Sequence, residues 1–182
     1  MIIETERLRL RPWKEEDACD LYMFAKDPNV GPAAGWPVHT SVENSREIIQ
    51  TVLSAEGTFA VVLKEEQKVV GSVGIMIGKQ SNLHIQDNEA EVGYWIGVPY
   101  WGKGLIPEAV YALQTYAFET LGIDTLWCGY FDGNTKSKCV QEKCGFQYHH
   151  TNEKVEWKAV QKELIEHVTC LKKEDWLVRK QK

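Results

Sequence analysis

Glu91-Val92-Gly93-Tyr94-Trp95-Ile96-Gly97-Val98-Pro99-Tyr100-Trp101-Gly102-Lys103-Gly104-Leu105-Ile106-Pro107-Glu108-Ala109 is the most informative segment of this sequence. Its first part has the alternation of a strand, predicted over 89–98. Beyond it, Leu105, Ala109, Ala112, Leu113, Tyr116, Ala117 and Leu121 recur at a helical period that ends at Gly122. A strand thus meets a helix through a glycine-containing turn. Unpaired backbone N–H groups and the positive end of the helix dipole converge there, which favours an anion and above all phosphate.

Three phosphate-binding arrangements compete for this turn. Gly97-x-x-x-x-Gly102-Lys103 begins like a P-loop, but Gly104 stands where a hydroxyl would hold magnesium. A dinucleotide fingerprint needs a third glycine where this chain has Pro107, which also lacks an N–H. What remains is a cradle of amides over residues 101–106 that reaches a pyrophosphate without metal.

Outward from this turn, Leu8 and Leu10 alternate with Arg7, Arg9 and Arg11 as a short half-buried strand. A helix follows behind the acidic start Lys14-Glu15-Glu16-Asp17. Residues 29–39 hold Gly31, Pro32, Gly35 and Pro37 and read as an irregular loop carrying Trp36. Thr40 or Ser41 caps a second helix reaching Leu53. Strands are predicted at 58–63 and 68–77, another at 124–131, and a short helix at 134–143 closed by Gly145. The remainder supplies one or two strands, clearest at 167–171. This is a mixed α/β (α+β) sheet with helices on its faces.

The 182 residues suit one domain, taken as 1–178 with a polar tail at 179–182. The 21 basic and 26 acidic residues give a net charge of -5, which disfavours non-specific nucleic-acid binding. No apolar run approaches the ~20 residues of a membrane helix. The N-terminal residues lack the pattern of a signal peptide, and five cysteines, an odd number, read as reduced thiols. A cytoplasmic protein is expected.

The sequence resembles the GCN5-related N-acetyltransferases (GNAT), and within them the ribosomal-protein N-acetyltransferase-like branch. The resemblance rests on Glu4-Thr5-Glu6-Arg7-Leu8-Arg9-Leu10-Arg11-Pro12, Gly71-x-x-Gly74, the segment 91–109, Asn134-x-x-Ser137, and Glu142-Lys143-Cys144-Gly145-Phe146. It implies a mostly antiparallel sheet with a splayed strand pair, and acetyl-CoA as co-substrate. The backbone of Ile96 and Val98 would hold the pantetheine arm. Trp101, Gly102, Lys103, Gly104, Leu105 and Ile106 would hold the pyrophosphate, and Asn134 and Ser137 would lie beside the thioester. Trp101 and Ile106 depart from the family, which usually has Gln or Arg at the first place and Gly or Ala at the last.

A thioester is already activated, so the protein must align an amine, neutralise it and stabilise an oxyanion. Glu91, alternating with Gly93 and Trp95, is the first candidate for general base through a water; the alternative is a charge solvating a strand end. Glu156 is a rival carboxylate at the acceptor, or one more surface charge. A backbone N–H near Val98, where Pro99 interrupts pairing, would serve the oxyanion, and Ser137 would donate to the departing sulfur. Trp36 and His39 fall in the family's acceptor loop, although Trp36 reads equally as a cap on the core. The expected acceptor is a protein N-terminal amine or a small amine. No metal ligand set is read, and a homodimer is left open. The alternative from another class is an acyl-CoA-binding sensor without turnover.

Overall fold

The computed structural model describes residues 1–157 and 159–181. Its strands are β1 (Ile3–Glu4), β2 (Leu8–Arg11), β3 (Thr58–Leu63), β4 (Lys68–Ile77), β5 (Glu89–Ile96), β6 (Thr125–Phe131), β7 (Gln147–Trp157) and β8 (Lys162–Lys172). The helices are α1 (Ala18–Ala25), α2 (Val42–Ile48), α3 (Leu105–Thr115), α4 (Thr135–Lys143) and α5 (Lys173–Lys180). One sheet carries the strands in the order β1-β2-β3-β4-β5-β6-β8-β7. The β1/β2, β2/β3, β3/β4, β6/β8 and β7/β8 pairs are antiparallel, whereas β5 and β6 are parallel. That parallel ladder covers only Glu89–Glu91 against Thr125–Trp127, although β5 runs on to Ile96 and β6 to Phe131. The mixed, mostly antiparallel sheet with a splayed pair is therefore as expected.

Two compact units are distinguished. The first is built on Met1–Gly74 and Tyr94–Ala109. Its core gathers Trp13, Ala18, Leu21, Ala25, Ile49, Ala60, Val62 and Val69, with Trp36, Val42, Leu53 and Trp95 packed against them. Burying each large apolar side chain contributes about 1.5–3 kcal/mol. The entry to α1 is fixed by buried Asp17. Its carboxylate takes both Nη atoms of Arg11 at 2.7 Å and the Lys14 N–H at 2.9 Å. Ser41 caps α2 by accepting the Asn44 N–H at 3.0 Å, and Asn44 Oδ1 accepts the Thr40 N–H at 3.2 Å.

The second unit is built on Ile75–Gly93, Val110–Trp157 and the C-terminal residues from Gln161. Its buried side chains include Leu113, Phe118, Leu126, Val168, Leu171 and Trp176. Three elements here exceed the sequence reading. β7 and β8 are long strands of a hairpin, and β7 is mostly exposed, so hydropathy gave it no buried face to reveal it. Helix α5 contains Arg179 and Lys180, which the sequence reading assigned to a tail. Arg179 Nη2 donates to the Lys143 carbonyl at 3.1 Å, and its guanidinium lies where a Cβ on Gly145 would be. Among the described residues, no helix is long and apolar enough to cross a membrane, and no three His, Cys, Asp or Glu side chains group as a metal site.

Candidate active site

The turn between β5 and α3 is built in steps. The Gly97 N–H bonds the Val70 carbonyl at 2.9 Å, and a Cβ at Gly97 would meet the Phe24 ring at 2.5 Å, so only glycine lets the chain pass. Pairing then stops, and Val98–Tyr100 form a tight helical turn instead of the last residues of a strand. The predicted strand end at Val98 is therefore corrected to Ile96. The cause is local, because Pro99 has no N–H to pair and its fixed φ suits the start of a turn.

Gly102 and Gly104 both lie at φ +74, a left-handed conformation that costs other residues about 1–2 kcal/mol. They swing the chain into the first turn of α3, where Leu105 and Ile106 turn their side chains into the interior at 3% and 4% exposure. Tyr100 N–H bonds Gly97 O, Trp101 N–H bonds Val98 O and Glu108 N–H bonds Gly104 O. Among the described residues, the amides of Gly102, Lys103, Gly104, Leu105 and Ile106 have no hydrogen-bond acceptor. A Cβ placed on Gly102 would meet nothing within 4 Å. An open row of amides at a helix N-terminus suits a phosphate group.

Arg7 lies behind this turn. Its Nη1 donates to Lys103 O at 2.9 Å and its Nη2 to Gly104 O at 3.3 Å. Its Nε and backbone N–H bond the two oxygens of Glu108 at 2.6 and 2.8 Å. Thr5 adds a hydroxyl bond to Glu108 at 2.5 Å. Burial alone would raise the pKa of Glu108, but the bonds from Thr5 and Arg7 outweigh it and hold the carboxyl below its ordinary value. On the other side, Tyr100 bonds Glu66 at 2.6 Å, and burial together with that carboxylate pushes its phenol up to about 12.

Trp101 departs from the family and has a definite place: its indole N–H bonds the Ile96 carbonyl at 3.0 Å. Of the two main-chain positions expected to hold a pantetheine arm, the Ile96 carbonyl already has a donor, and Val98 belongs to the turn.

In the second unit, Glu91 is 8% exposed on β5. Its Oε2 accepts the Ser81 hydroxyl at 2.7 Å and the Asn82 N–H at 3.2 Å. Burial raises its pKa and the nearby Glu166 charge adds to the rise, while the bonds from Ser81 and Asn82 oppose it. Asn134 and Ser137 are brought together by capping: Asn134 Oδ1 accepts the Ser137 N–H at 3.1 Å at the start of α4. Gln141 Nε2 donates to Ser137 Oγ at 3.3 Å, and Thr169 holds Gln141 Oε1 at 2.7 Å.

The aromatic loop is ordered by its packing. Trp36 meets His39 and Trp95 at ring distances of 5.2 and 5.7 Å and closes over the first core. His39 is buried, bonds Ser45 Oγ through Nδ1 at 2.8 Å, and is held below its ordinary pKa by burial. Glu156 is exposed on β7 and lies in register with Glu163 on β8.

Sequence reasoning did not single out Glu166, Ser81 or Arg7 as parts of a site. Glu166 is 5% exposed, and its pKa is raised by burial against one bond from Asn152. Pairing across β6 puts Glu91 opposite Trp127 and Glu166 opposite Phe131, so both carboxylates share a sheet face with Gly129. The only sequence signal was Glu166 interrupting an alternation in β8, which a surface charge would produce equally.

A strand end turned by left-handed glycines into an amide-lined helix start is an arrangement suited to a phosphate group, and comparison with known proteins shows the family. The chain belongs to the GNAT acetyltransferase family, whose acetyltransferase (GNAT) domain model matches residues 7–147. It is 34% identical over 148 residues to the N-acetyltransferase p20 of Bacillus licheniformis, covering 79% of this chain and 80% of that protein. The fold is similar to a GNAT-family acetyltransferase from Bacillus anthracis, with a TM-score of 0.82 at 22% identity over 96% and 99% of the two chains. It is also similar to the microcin C7 self-immunity acetyltransferase MccE, solved with acetyl-CoA and AMP, with a TM-score of 0.76 at 19% identity over 92% and 93%.

Proposed function

We propose that this chain moves the acetyl group of acetyl-CoA directly to a primary amine within a ternary complex. The observation that carries this reading is the turn at 101–106, with five unpaired amides, two left-handed glycines and space at Gly102 that a side chain would fill. Acetyl-CoA would be held there by the amides of 102–106, with the backbone of Ile96 and Val98 along its arm. It would supply a thioester carbonyl already activated toward an amine.

The chain's own groups would do the rest. An alkyl amine with a pKa of ~10.4 is almost wholly protonated at neutral pH, whereas an N-terminal amine near ~8 is closer to reactive. Glu91, buried and pushed upward, is suited to take that proton through a water. The amide near Val98 would stabilise the oxyanion, and Ser137, fixed by Gln141, would give a proton to the leaving sulfur. Trp36 and His39 would line the acceptor's path, with a protein N-terminus or a small amine as acceptor and Glu156 at its edge.

The test incubates the protein with acetyl-CoA and a panel of amines and peptides and measures free thiol. Release above background with at least one acceptor is expected. Tight binding of acetyl-CoA with no release from any acceptor would instead favour a sensor. Binding itself is read by thermal unfolding: a hundredfold excess over Kd adds about 2.7 kcal/mol. For a chain of this size that is roughly 5 to 11 °C in Tm.

A further inference from the structure

We infer that Arg7 is a positioning residue for the coenzyme diphosphate, acting through the main chain of the 101–106 turn and not as a phosphate ligand. The inference rests on the acetyl-CoA reading above and adds a part that composition would misassign. An arginine beside a phosphate cradle is ordinarily taken as a direct partner of the anion. Here all its guanidinium nitrogens are engaged elsewhere: Nε with Glu108, Nη1 with Lys103 O and Nη2 with Gly104 O.

The geometry of the peptide unit gives those two carbonyl bonds their consequence. In a trans peptide the C=O and the following N–H point in opposite directions. Drawing Lys103 O and Gly104 O toward Arg7 therefore turns the N–H groups of Gly104 and Leu105 the other way. Both glycines are in a region where the backbone has little resistance of its own, so an outside hold is needed to keep the amides aligned. Without it, either carbonyl could rotate toward the anion and repel it.

Glu108 completes the device. A carboxylate in the first turn of a helix competes with any anion for the same positive end. Arg7 neutralises it and, with the Thr5 hydroxyl, holds it on the far side, and its backbone N–H closes the first bond of α3 onto Gly104 O. The Arg7 side chain is 44% exposed, and ion pairs of that kind contribute little to global stability. The effect of breaking it should appear in binding.

The experiment is a double-mutant cycle on the Kd of acetyl-CoA, measured by calorimetry at 20 °C with Arg7→Ala, Glu108→Ala and the double variant. Arg7→Lys and Glu108→Gln serve as milder variants should the alanines fold poorly, and the apo Tm of each is recorded. Each alanine variant is expected to raise Kd roughly tenfold, and the double variant no more than either alone, because both remove the same brace. Arg7→Lys should not rescue, since an ammonium cannot span three acceptors in a fork. The brace is overturned if Arg7→Ala weakens binding while Glu108→Ala leaves or tightens it, which marks a direct phosphate ligand. It is equally overturned if Kd stays constant and only Tm falls. A wild-type protein that does not bind acetyl-CoA removes the parent reading as well, whereas tight wild-type binding with unaltered variants removes only the brace.

Discussion

The carboxylate of Glu166 occupies the place of a side chain on Gly129: a Cβ built there would meet Oε1 at 2.6 Å. Gly129 on β6 is thus the residue that lets a buried acid lie flat across the sheet. Gly129→Ala is expected to destabilise by about 1–3 kcal/mol, since Glu166 cannot leave its enclosure freely. Chemical denaturation checks this. In Gly129→Ala with Glu166→Ala, most of the loss should be absent, and equal losses in both backgrounds would refute the contact.

With Glu91 as the proposed base, its ionisation should set the acidic limb of the rate. It must be ionised to take a proton, and burial first, then the Glu166 charge, raise its pKa. The limb of kcat/KM should therefore inflect above the ordinary glutamate value of ~4.3. Ser81→Ala removes a bond that favours the ionised form and should move the limb higher. Glu91→Gln should keep the acetyl-CoA thermal shift and lose the limb together with most turnover; full rate at every pH would exclude Glu91 as the base. The stability linkage has the opposite sense to a salt-bridged acid. The share from neutral Glu91 and Glu166 is complete below the unfolded pKa and is lost as pH rises through their raised folded values.

Ser45 and His39 form a buried pair whose loss is a matter of desolvation. Ser45→Ala would leave His39 Nδ1 without its partner and should cost about 1–3 kcal/mol in urea unfolding. His39 has a pKa lowered by burial. Its contribution is present above the unfolded value of ~6.5 and is lost as pH falls through the lower folded value. A stability profile flat across that window would contradict a neutral buried ring.

Gly104→Glu puts a side chain at a φ of +74 that resists one, with its Cβ 3.6 Å from Arg7 Nη2, so its bulk and charge disturb the hold on the turn from behind. The acetyl-CoA thermal shift should vanish while the apo protein still melts cooperatively. A retained shift would show that the anion lies elsewhere.

Trp101→Phe keeps an aromatic ring and releases the Ile96 carbonyl from the indole N–H. If the donor's arm uses that carbonyl, Kd for acetyl-CoA should fall about two- to tenfold, the net value of one hydrogen bond. An unchanged or higher Kd would mean the indole and the arm do not compete.

The strand-turn-helix at 89–121 was legible because its signals are local: alternation, then glycines, then a helical period. The cap at Thr40 or Ser41, which the fold assigns to Ser41, the buried face of β2 and the break at Asn134 were legible for the same reason. The helix α5 was not, since Trp176 is its one buried apolar side chain and its charges read as a solvated tail. Glu91 could be chosen from its strand position, but its partner Ser81 lies across a polar loop whose path no pattern encodes. Arg7 looked like one of three alternating arginines. Only the fold distinguishes it from Arg9, which bonds Glu4 at the surface, and Arg11, which bonds Asp17.

The contact between Arg7 and Glu108 joins residues 101 positions apart. The glycines of the turn are therefore backed only once two segments so distant in sequence have met, which no local folding step can achieve. Pairings this distant form late and slowly. A coenzyme held at this turn, as proposed, would select the finished fold and leave the earlier steps of folding untouched.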